Sequence, residues 1–286
     1  MTTTINSNLR VVPPFAFVSF GLALLTGCAG AFARNAETDL AKALISSDQE
    51  NQIGLSVKSD LEQKQKVVYL NDPVVVDYVR KVAGKVIESG KKDRPDVNWQ
   101  VNVIDDNKTV NAFATPGGYL YVYSGLLAAA DDEAQLAGVM AHETGHVVAR
   151  HSARSMVAAY GLEAVAALAT GNNPGLLSQV TTGIASNGLM LAHSRADETE
   201  ADEFGARYAN VAGYDPNALI AFFHTLQAQQ GTTPKVMVFL SDHPANEDRI
   251  SHLQQFIAAN HLTSKDLGKA TFAPIKARVL AHAPTK

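Results

Sequence analysis

The chain has 286 residues, of which 46% are hydrophobic and 18% are charged, and its formal net charge at pH 7 is −4. A chain of this size and composition can bury a full hydrophobic core, and we expect one large domain after processing. The net negative charge gives no indication of the basic surface that a nucleic-acid-binding protein needs. The single Cys excludes an intrachain disulfide.

The N-terminal segment has the marks of a secretory signal. Arg10 precedes an apolar stretch at 15–25, which is shorter than the about 20 residues of a membrane-spanning helix. Leu-Thr-Gly-Cys at 25–28 matches a bacterial lipobox. We therefore predict a lipoprotein signal peptide at 1–27 and, at 28–46, a lipidated Cys28 with its tether; an incidental Cys behind an ordinary signal peptide is the alternative. Ala29 favours the outer membrane, because Asp there would resemble an inner-membrane retention signal.

Residues 47–286 are expected to form the folded domain, which begins with two helices. The segment at 47–66 is polar and is predicted to be helical. Asp72-Pro73 is a typical helix start, and this second helix is expected to end near Gly90, before a charged loop at 91–96. Its buried stripe consists of Val75, Val79, Val82 and Val86.

Short strands are predicted next. Trp99–Ile104 and Tyr119–Tyr123 have strand-like patterns, and Thr-Pro-Gly-Gly at 115–118 is a strong turn signal. The segment Asn111, Ala112, Phe113 and Ala114 leads into that turn. We predict a small antiparallel sheet beside the helix that follows.

The motif H-E-x-x-H lies at 142–146, after an acidic helix start at 131–133. Residues four apart on a helix have Cβ atoms roughly 5–6 Å apart, so His142 and His146 can close on one metal at about 2.0–2.1 Å per nitrogen. Glu143 lies beside this ligand line and is free to act as a base. A chance occurrence is the alternative, but an acidic motif follows at 198–202. The pattern therefore predicts a zinc-dependent protease, with His151 off the ligand face as a partly exposed helix residue.

Two further segments complete the pattern. Residues 156–192 are apolar and Gly-rich, but Glu163 and a Gly-Asn-Asn-Pro-Gly break at 171–175 divide them, so we expect a helical hairpin over the active-site cleft rather than membrane insertion. A helix is predicted to begin near Ser194 and to carry Glu198 and Asp202, which are four residues apart. Glu200 and Glu203 are expected to be solvated, and Arg195 to be either paired with carboxylates or exposed.

Four blocks of this sequence resemble the HtpX and CAAX-prenyl-endopeptidase family of membrane-associated zinc metallopeptidases, especially its periplasmic members without membrane spans. The blocks lie at 111–118, 142–146, 194–202 and 243–250. The resemblance implies one Zn²⁺ per chain, with Glu198 as the third ligand and Asp202 as the carboxylate that fixes a ligating imidazole. It also implies that His243-Pro244 lies over the metal.

The sequence leaves three roles open for His243. It can occupy the open zinc position and keep the enzyme latent, donate to the oxyanion, or be a capped surface histidine. We predict the gating role, and Tyr119 remains a second candidate for the oxyanion donor. The segment Asn111–Ala114 is assigned to an edge strand that binds extended substrate by backbone hydrogen bonds; the alternative is a plain hairpin with Phe113 in the core.

These observations predict an α+β, mostly helical, zincin-like metallopeptidase domain that is lipid-anchored on the periplasmic side of the outer membrane. Zinc-activated water, with Glu143 as the general base, would hydrolyse peptide bonds of misfolded or misassembled envelope proteins. Two alternatives remain. One is a largely latent metalloprotein that acts as a chaperone or assembly factor, in contact with the outer-membrane assembly machinery. The other, a prenyl-type peptidase, is disfavoured because no membrane chamber is visible.

Overall fold

Helices dominate the part of the chain that the computed structural model describes, which comprises residues 43–169, 174–187, 193–229 and 238–282. The helices are α1 Ser47–Gln63, α2 Pro73–Asp93, α3 Ser124–Ala129, α4 Glu133–Val148, α5 His151–Tyr160, α6 Leu162–Ala169, α7 Pro174–Asn187, α8 Arg195–Val211, α9 Ala218–Gln229, α10 Val238–Asp242, α11 Glu247–Ala259 and α12 Lys269–Ala281. The strands are β1 Gln100–Ile104, β2 Ala112–Thr115 and β3 Tyr119–Tyr123. The predicted α+β, mostly helical class is confirmed.

The first two helices begin where the sequence signals indicate. Ser46 and Gln49 form a capping box at the start of α1, which satisfies backbone N–H groups that lack helical partners. Asp72 caps α2 by accepting from two backbone N–H groups, and the predicted valine stripe of this helix is buried. The helix continues to Asp93 instead of ending near Gly90, because two lysines in its last turn are favoured by the helix dipole.

The sheet has the strand order β1-β3-β2 and is mixed. The predicted turn at 115–118 joins β2 to β3 as an antiparallel hairpin, with Ala114 opposite Leu120. The prediction of an entirely antiparallel sheet is wrong, since β1 pairs with β3 in parallel. The chain between β1 and β2 crosses to the far side of β3, so β2 remains at an edge of the sheet.

Helix α4 is the centre of the domain. Asp132 caps it by accepting from the Gln135 N–H, and every residue of the helix is buried. Two glycines allow α4 and α8 to approach closely. A Cβ at Gly145 would lie 2.9 Å from the Ala201 carbonyl oxygen, and one at Gly205 would lie 3.1 Å from the backbone nitrogen of His142. This close packing brings α8 against the face of α4 that carries both motif histidines.

The described parts of the apolar region at 156–192, residues 156–169 and 174–187, form helices, as predicted. Helix α7 packs against α1, and α6 contacts α7. Val165, Leu176, Val180 and Ile184 from these two helices join a second hydrophobic cluster that also contains Phe113 of β2. Among the described residues, no helix is both long and apolar enough to cross a membrane. Of the Gly-Asn-Asn-Pro-Gly break that was predicted at 171–175, positions 171–173 lie outside the described residues.

The described residues all belong to one unit, which extends from Thr38 to Lys286. The predicted signal peptide at 1–27, the lipidation site at Cys28 and most of the tether at 28–46 lie outside them. Those assignments therefore stay predictions.

Candidate metal centre

Four side chains with metal-binding atoms meet between α4 and α8. His142 and His146 come from α4, Glu198 from the first turn of α8, and His243 from the residue after α10. The Nε2 atoms of His142 and His146 are 3.0 Å apart. Each of them lies 3.5 Å from a different carboxylate oxygen of Glu198. All four residues are buried, with at most 4% of their surface exposed.

These separations fit a tetrahedral metal ion. Two ligands that are each about 2.0–2.1 Å from zinc lie roughly 3.3–3.4 Å from one another. The distances among the donor atoms of His142, His146 and Glu198 are 3.0 to 3.5 Å. Two imidazoles and one carboxylate are also the donor set of many catalytic centres, which keep a fourth position open. The three residues that the sequence predicted as ligands can therefore hold one metal.

A charged layer lies directly behind these donors. The Nδ1 atom of His142 is 2.9 Å from Asp202 Oδ1, so the carboxylate lies against this nitrogen while Nε2 faces the cluster. Arg249 Nη2 donates to Asp202 Oδ1 at 2.7 Å, and its Nη1 lies 2.9 Å from Glu198. Asp202 thus occupies the place that the sequence assigned to it, and the buried Arg249 holds both carboxylates.

The electrostatics of the cluster suit a cation. Burial lowers the pKa of His142, but the carboxylates of Asp202 and Glu198 outweigh it and raise the pKa to about 9. Burial raises the pKa of Glu198, but the neighbouring histidines, above all His243, outweigh it and lower the pKa. The surroundings therefore keep Glu198 ionised and favour positive charge at His142, and a metal ion between them would satisfy both.

Glu143 lies beside the donors and contacts two other parts of the site. The backbone N–H of Ala114 in β2 faces its carboxylate, and its Oε1 is 3.4 Å from His243 Nε2. Burial raises the pKa of Glu143, against the opposing effect of His243 and His142. A buried carboxylate with a raised pKa is suited to taking up a proton and returning it.

His243 is part of the cluster. It is 2% exposed, so the alternative of a capped surface histidine is wrong. Its Nδ1 lies 3.2 Å from His142 Nε2 and 3.1 Å from Glu198 Oε2. These two separations match those of ligands on one tetrahedral ion, so Nδ1 lies within reach of an ion held by the other three residues. The other candidate oxyanion donor, Tyr119, has its buried ring against Gly54 of α1 in the second hydrophobic cluster.

The segment Asn111–Ala114 lies next to Glu143, at the edge of the sheet. Ala112 to Ala114 belong to β2, and Asn111 directly precedes this strand. Phe113 is 2% exposed and stacks on Tyr121 with ring centroids 4.7 Å apart. Phe113 therefore belongs to the core, as the alternative required. The strand is an edge of the sheet, but all four of its residues are buried, so the substrate-binding assignment stays a prediction.

Several polar residues behave differently from the sequence expectation. His151 is fully buried rather than partly exposed, and its Nδ1 lies 2.8 Å from His146 Nδ1. Glu200 is not simply solvated, because it contacts His151 at 3.2 Å and Arg154 at 2.8 Å. Glu203 contacts the exposed His252 at 2.9 Å. Arg195 is exposed, which is one of the two alternatives that the sequence left open for it.

His193 was missed in the sequence altogether. Its ring stacks on that of His146, with centroids 4.1 Å apart. It lies outside both metal-binding motifs, and one isolated histidine gives no periodic signal. Only the contact of its ring with His146 of α4 reveals it.

A helix-borne H-E-x-x-H pair, a carboxylate from a neighbouring helix and a small sheet alongside define a metallopeptidase type of centre. Residues 74–257 match the model of Peptidase family M48, which is more than half of the chain, and the chain therefore belongs to this family. The family resemblance seen in the four sequence blocks is confirmed.

Individual relatives agree with this membership. The mitochondrial metalloendopeptidase OMA1 of Schizosaccharomyces pombe is 36% identical over 181 residues, which are 63% of this chain and 52% of that protein. A putative beta-barrel assembly-enhancing protease of Vibrio cholerae is 32% identical over 80% of this chain and 50% of its own length. The metalloprotease YcaL of Escherichia coli is 34% identical over 57% of this chain and 63% of its own length. The chain thus spans about half the length of the first two.

Proposed function

We propose that this protein is a zinc metalloendopeptidase that hydrolyses peptide bonds of misfolded or misassembled envelope proteins. One observation carries the proposal: the donor atoms of His142, His146 and Glu198 are buried together at tetrahedral separations, with the carboxylate of Glu143 alongside. Zinc bound by these three residues would supply a Lewis acid that lowers the pKa of water to about 7 and polarises a carbonyl.

The chain's own groups account for the proton transfers and for substrate alignment. Glu143 takes a proton from the attacking water and returns it to the leaving amine. Oε1 is suited to this role, since within the described part of the chain it has no hydrogen-bond partner and only an ion-pair contact to His243. Substrate alignment is assigned to the edge strand β2 beside Glu143, with Asn111 at its start; because these residues are buried, an extended peptide must displace what covers the strand before it can bond to its backbone.

The substrates and location are proposed from two sources. Relatives in Vibrio cholerae and Escherichia coli carry the name beta-barrel assembly-enhancing protease, which suggests outer-membrane proteins as substrates and contact with their assembly machinery. The lipobox at 25–28 suggests an anchor at Cys28 on the periplasmic side of the outer membrane. Several acyl chains anchor a protein stably where one chain does not.

Substrate trapping tests this proposal. The Glu143→Gln variant should hold its substrates without cleaving them, so mass spectrometry of proteins captured from an envelope fraction should find misassembled outer-membrane proteins. The wild-type chain, incubated with the same captured proteins, should cut them only when zinc is present. Captured proteins that the zinc-loaded wild type leaves intact would contradict the endopeptidase.

A latent metalloprotein that assists assembly remains the second candidate. His243 favours it, because Nδ1 of this residue lies beside the donor atoms of His142 and Glu198, where a fourth ligand in place of water would block hydrolysis. Two bonds also join α10 to the chain leading into β2: Asn111 Nδ2 donates to Asp242 at 3.2 Å, and the Phe239 N–H donates to the Val110 carbonyl at 3.0 Å. Substrate bound along β2 would therefore disturb the helix that carries His243, which suggests a gate rather than permanent inactivity.

Removal of the His243 imidazole is expected to open this gate. His243→Ala should leave zinc bound by His142, His146 and Glu198, because these donors come from α4 and α8. Cleavage of an unfolded protein should rise several-fold, measured as the initial rate of appearance of new peptide amines. Zinc content is measured in parallel by atomic emission.

The other outcomes assign His243 differently. Cleavage that falls while zinc is retained would indicate that His243 donates to the oxyanion. Unchanged cleavage and unchanged zinc affinity would remove His243 from the site. His224→Ala, which alters an exposed histidine on α9, is the matched control and should change neither quantity.

The lipid anchor has a separate test. Cys28→Ala is expected to abolish incorporation of labelled palmitate, because the chain contains a single Cys. The protein should also leave the outer-membrane fraction when that fraction is separated on a density gradient. Palmitate labelling that persists in Cys28→Ala would show that the lipobox assignment is wrong.

A further inference from the structure

His151 holds a position that a continuous helix would not give it. At 3.6 residues per turn, a residue five positions after His146 would be rotated by about 140° away from it. The structure breaks the helix at Arg150, which has a φ of 59° and separates α4 from α5. Left-handed backbone is uncommon at residues other than glycine and persists where surrounding contacts enforce it. Arg150 has such a contact, since its Nε donates to Glu50 at 2.9 Å.

This break turns the His151 ring onto His146. The two rings meet edge to face with centroids 4.8 Å apart, and their Nδ1 atoms are 2.8 Å apart. The other nitrogen of His146, Nε2, points into the cluster with His142 and Glu198. If Nε2 binds a metal, the proton of the neutral ring must be on Nδ1. The nearest acceptor for that proton is His151 Nδ1.

The next contacts are consistent with this proton arrangement. With Nδ1 as an acceptor, His151 carries its own proton on Nε2, and this atom is 3.2 Å from Glu200 and 3.8 Å from Asp197. Arg154 holds both carboxylates, at 2.8 Å from each. Each donor in the series therefore faces an acceptor.

Each of the two proposed ligand histidines is then contacted by a second group on the side away from the metal site. Behind His142 lie a carboxylate, Asp202, and then Arg249. Behind His146 lies His151, and then the carboxylates of α8 with Arg154. Groups that fix the orientation and tautomer of a ligating imidazole typically contribute 10–100-fold to metal affinity.

We propose that His151 is a positioning residue, which accepts the Nδ1 proton of His146 and thereby holds His146 Nε2 towards the metal. The proposal rests on the metal site of the proposed function. His146, His151 and His193 also lie close enough together to hold a second ion. That arrangement would require His146 to bind metal through both nitrogens and lose both ring protons, so we assign the hydrogen bond instead.

Two substitutions separate hydrogen bonding from packing. His151→Leu fills similar space without an acceptor, whereas His151→Asn carries an oxygen near the place of Nδ1. The zinc dissociation constant of each metal-free variant is measured against a competing chelator. We expect His151→Leu to bind zinc 10–100-fold more weakly than the wild type and His151→Asn to recover most of that loss. His224→Leu, on an exposed helix position, is the control and should bind as the wild type does.

Folding and turnover complete the test. Circular dichroism of the metal-free variants checks that the fold is kept. At saturating zinc we expect the His151→Leu substitution to lower kcat more than it changes KM.

Equal zinc affinities of His151→Leu and wild type would overturn the proposal. Equal losses of zinc affinity in His151→Leu and His151→Asn would also overturn it, because they would indicate packing. Two zinc ions per wild-type chain, reduced to one in His151→Leu, would show a second metal site instead. Zinc affinity is measured without substrate, so a wild type that binds zinc but cleaves nothing would contradict only the proposed function.

Discussion

Glu143→Gln is expected to lose peptidase activity by a factor of at least about 10² while it keeps its zinc. Glutamine has the size of glutamate but cannot accept and return a proton near neutral pH. Glu143 contacts the Ala114 N–H and His243 and is not one of the three proposed ligands. Cleavage of an unfolded β-barrel protein and zinc content, measured on the same preparation, check both halves of the expectation.

The same variant distinguishes the two candidate functions. An endopeptidase loses its effect on envelope proteins when the base is removed, whereas a chaperone or assembly factor keeps it. Glu203→Gln is the matched control, because Glu203 is a partly exposed residue of α8 whose ion-pair contact is with the exposed His252. Loss of zinc from Glu143→Gln, or near-normal cleavage by it, would contradict the assignment of Glu143 as the base.

Glu198→Gln should have the largest effect on metal binding. Its carboxylate supplies the negative charge between the two histidines, at 3.5 Å from each Nε2. Loss of a ligand should exceed the 10–100-fold typical of groups behind the ligands. We therefore expect zinc to bind more than about 100-fold more weakly, with little cleavage at stoichiometric zinc. Competition with a chromophoric chelator measures the affinity.

Two comparisons make this result specific. Glu203→Gln should bind zinc as the wild type does, because the residue lies on the same helix but outside the cluster. Asp202→Asn should fall between the two, since its carboxylate supports His142 without belonging to the proposed ligands. A Glu198→Gln variant with wild-type zinc affinity would remove Glu198 from the ligand set.

The common face of the two motif histidines and the position of Glu198 in its own helix were predictable, because their determinants are local. His142 and His146 are four residues apart on a helix whose start is marked by Asp132, so their common face follows from helix geometry. Glu198 lies in the first turn of a helix that Ser194 caps. That α8 faces α4 came from the family resemblance rather than from periodicity, and the glycines at 145 and 205 explain it physically.

The remaining features depend on contacts between distant parts of the chain. The strand pattern of β1 is the same whether it pairs in parallel or antiparallel, so the sequence did not determine its parallel pairing with β3. Burial of His151 depends on left-handed backbone at Arg150, a position where glycine would have signalled a break and arginine does not. The contact of Arg249 with Asp202 joins residues on two helices, α8 and α11.

Anomalous diffraction at the zinc absorption edge, from crystals of the zinc-loaded chain, tests the central claim most directly. We predict one peak between His142 Nε2, His146 Nε2 and the Glu198 carboxylate, at about 2.0–2.2 Å from each donor atom. In the latent form, His243 Nδ1 should be the fourth ligand. A peak among His146, His151 and His193 with none beside His142, or no peak in the cluster at all, would contradict the account.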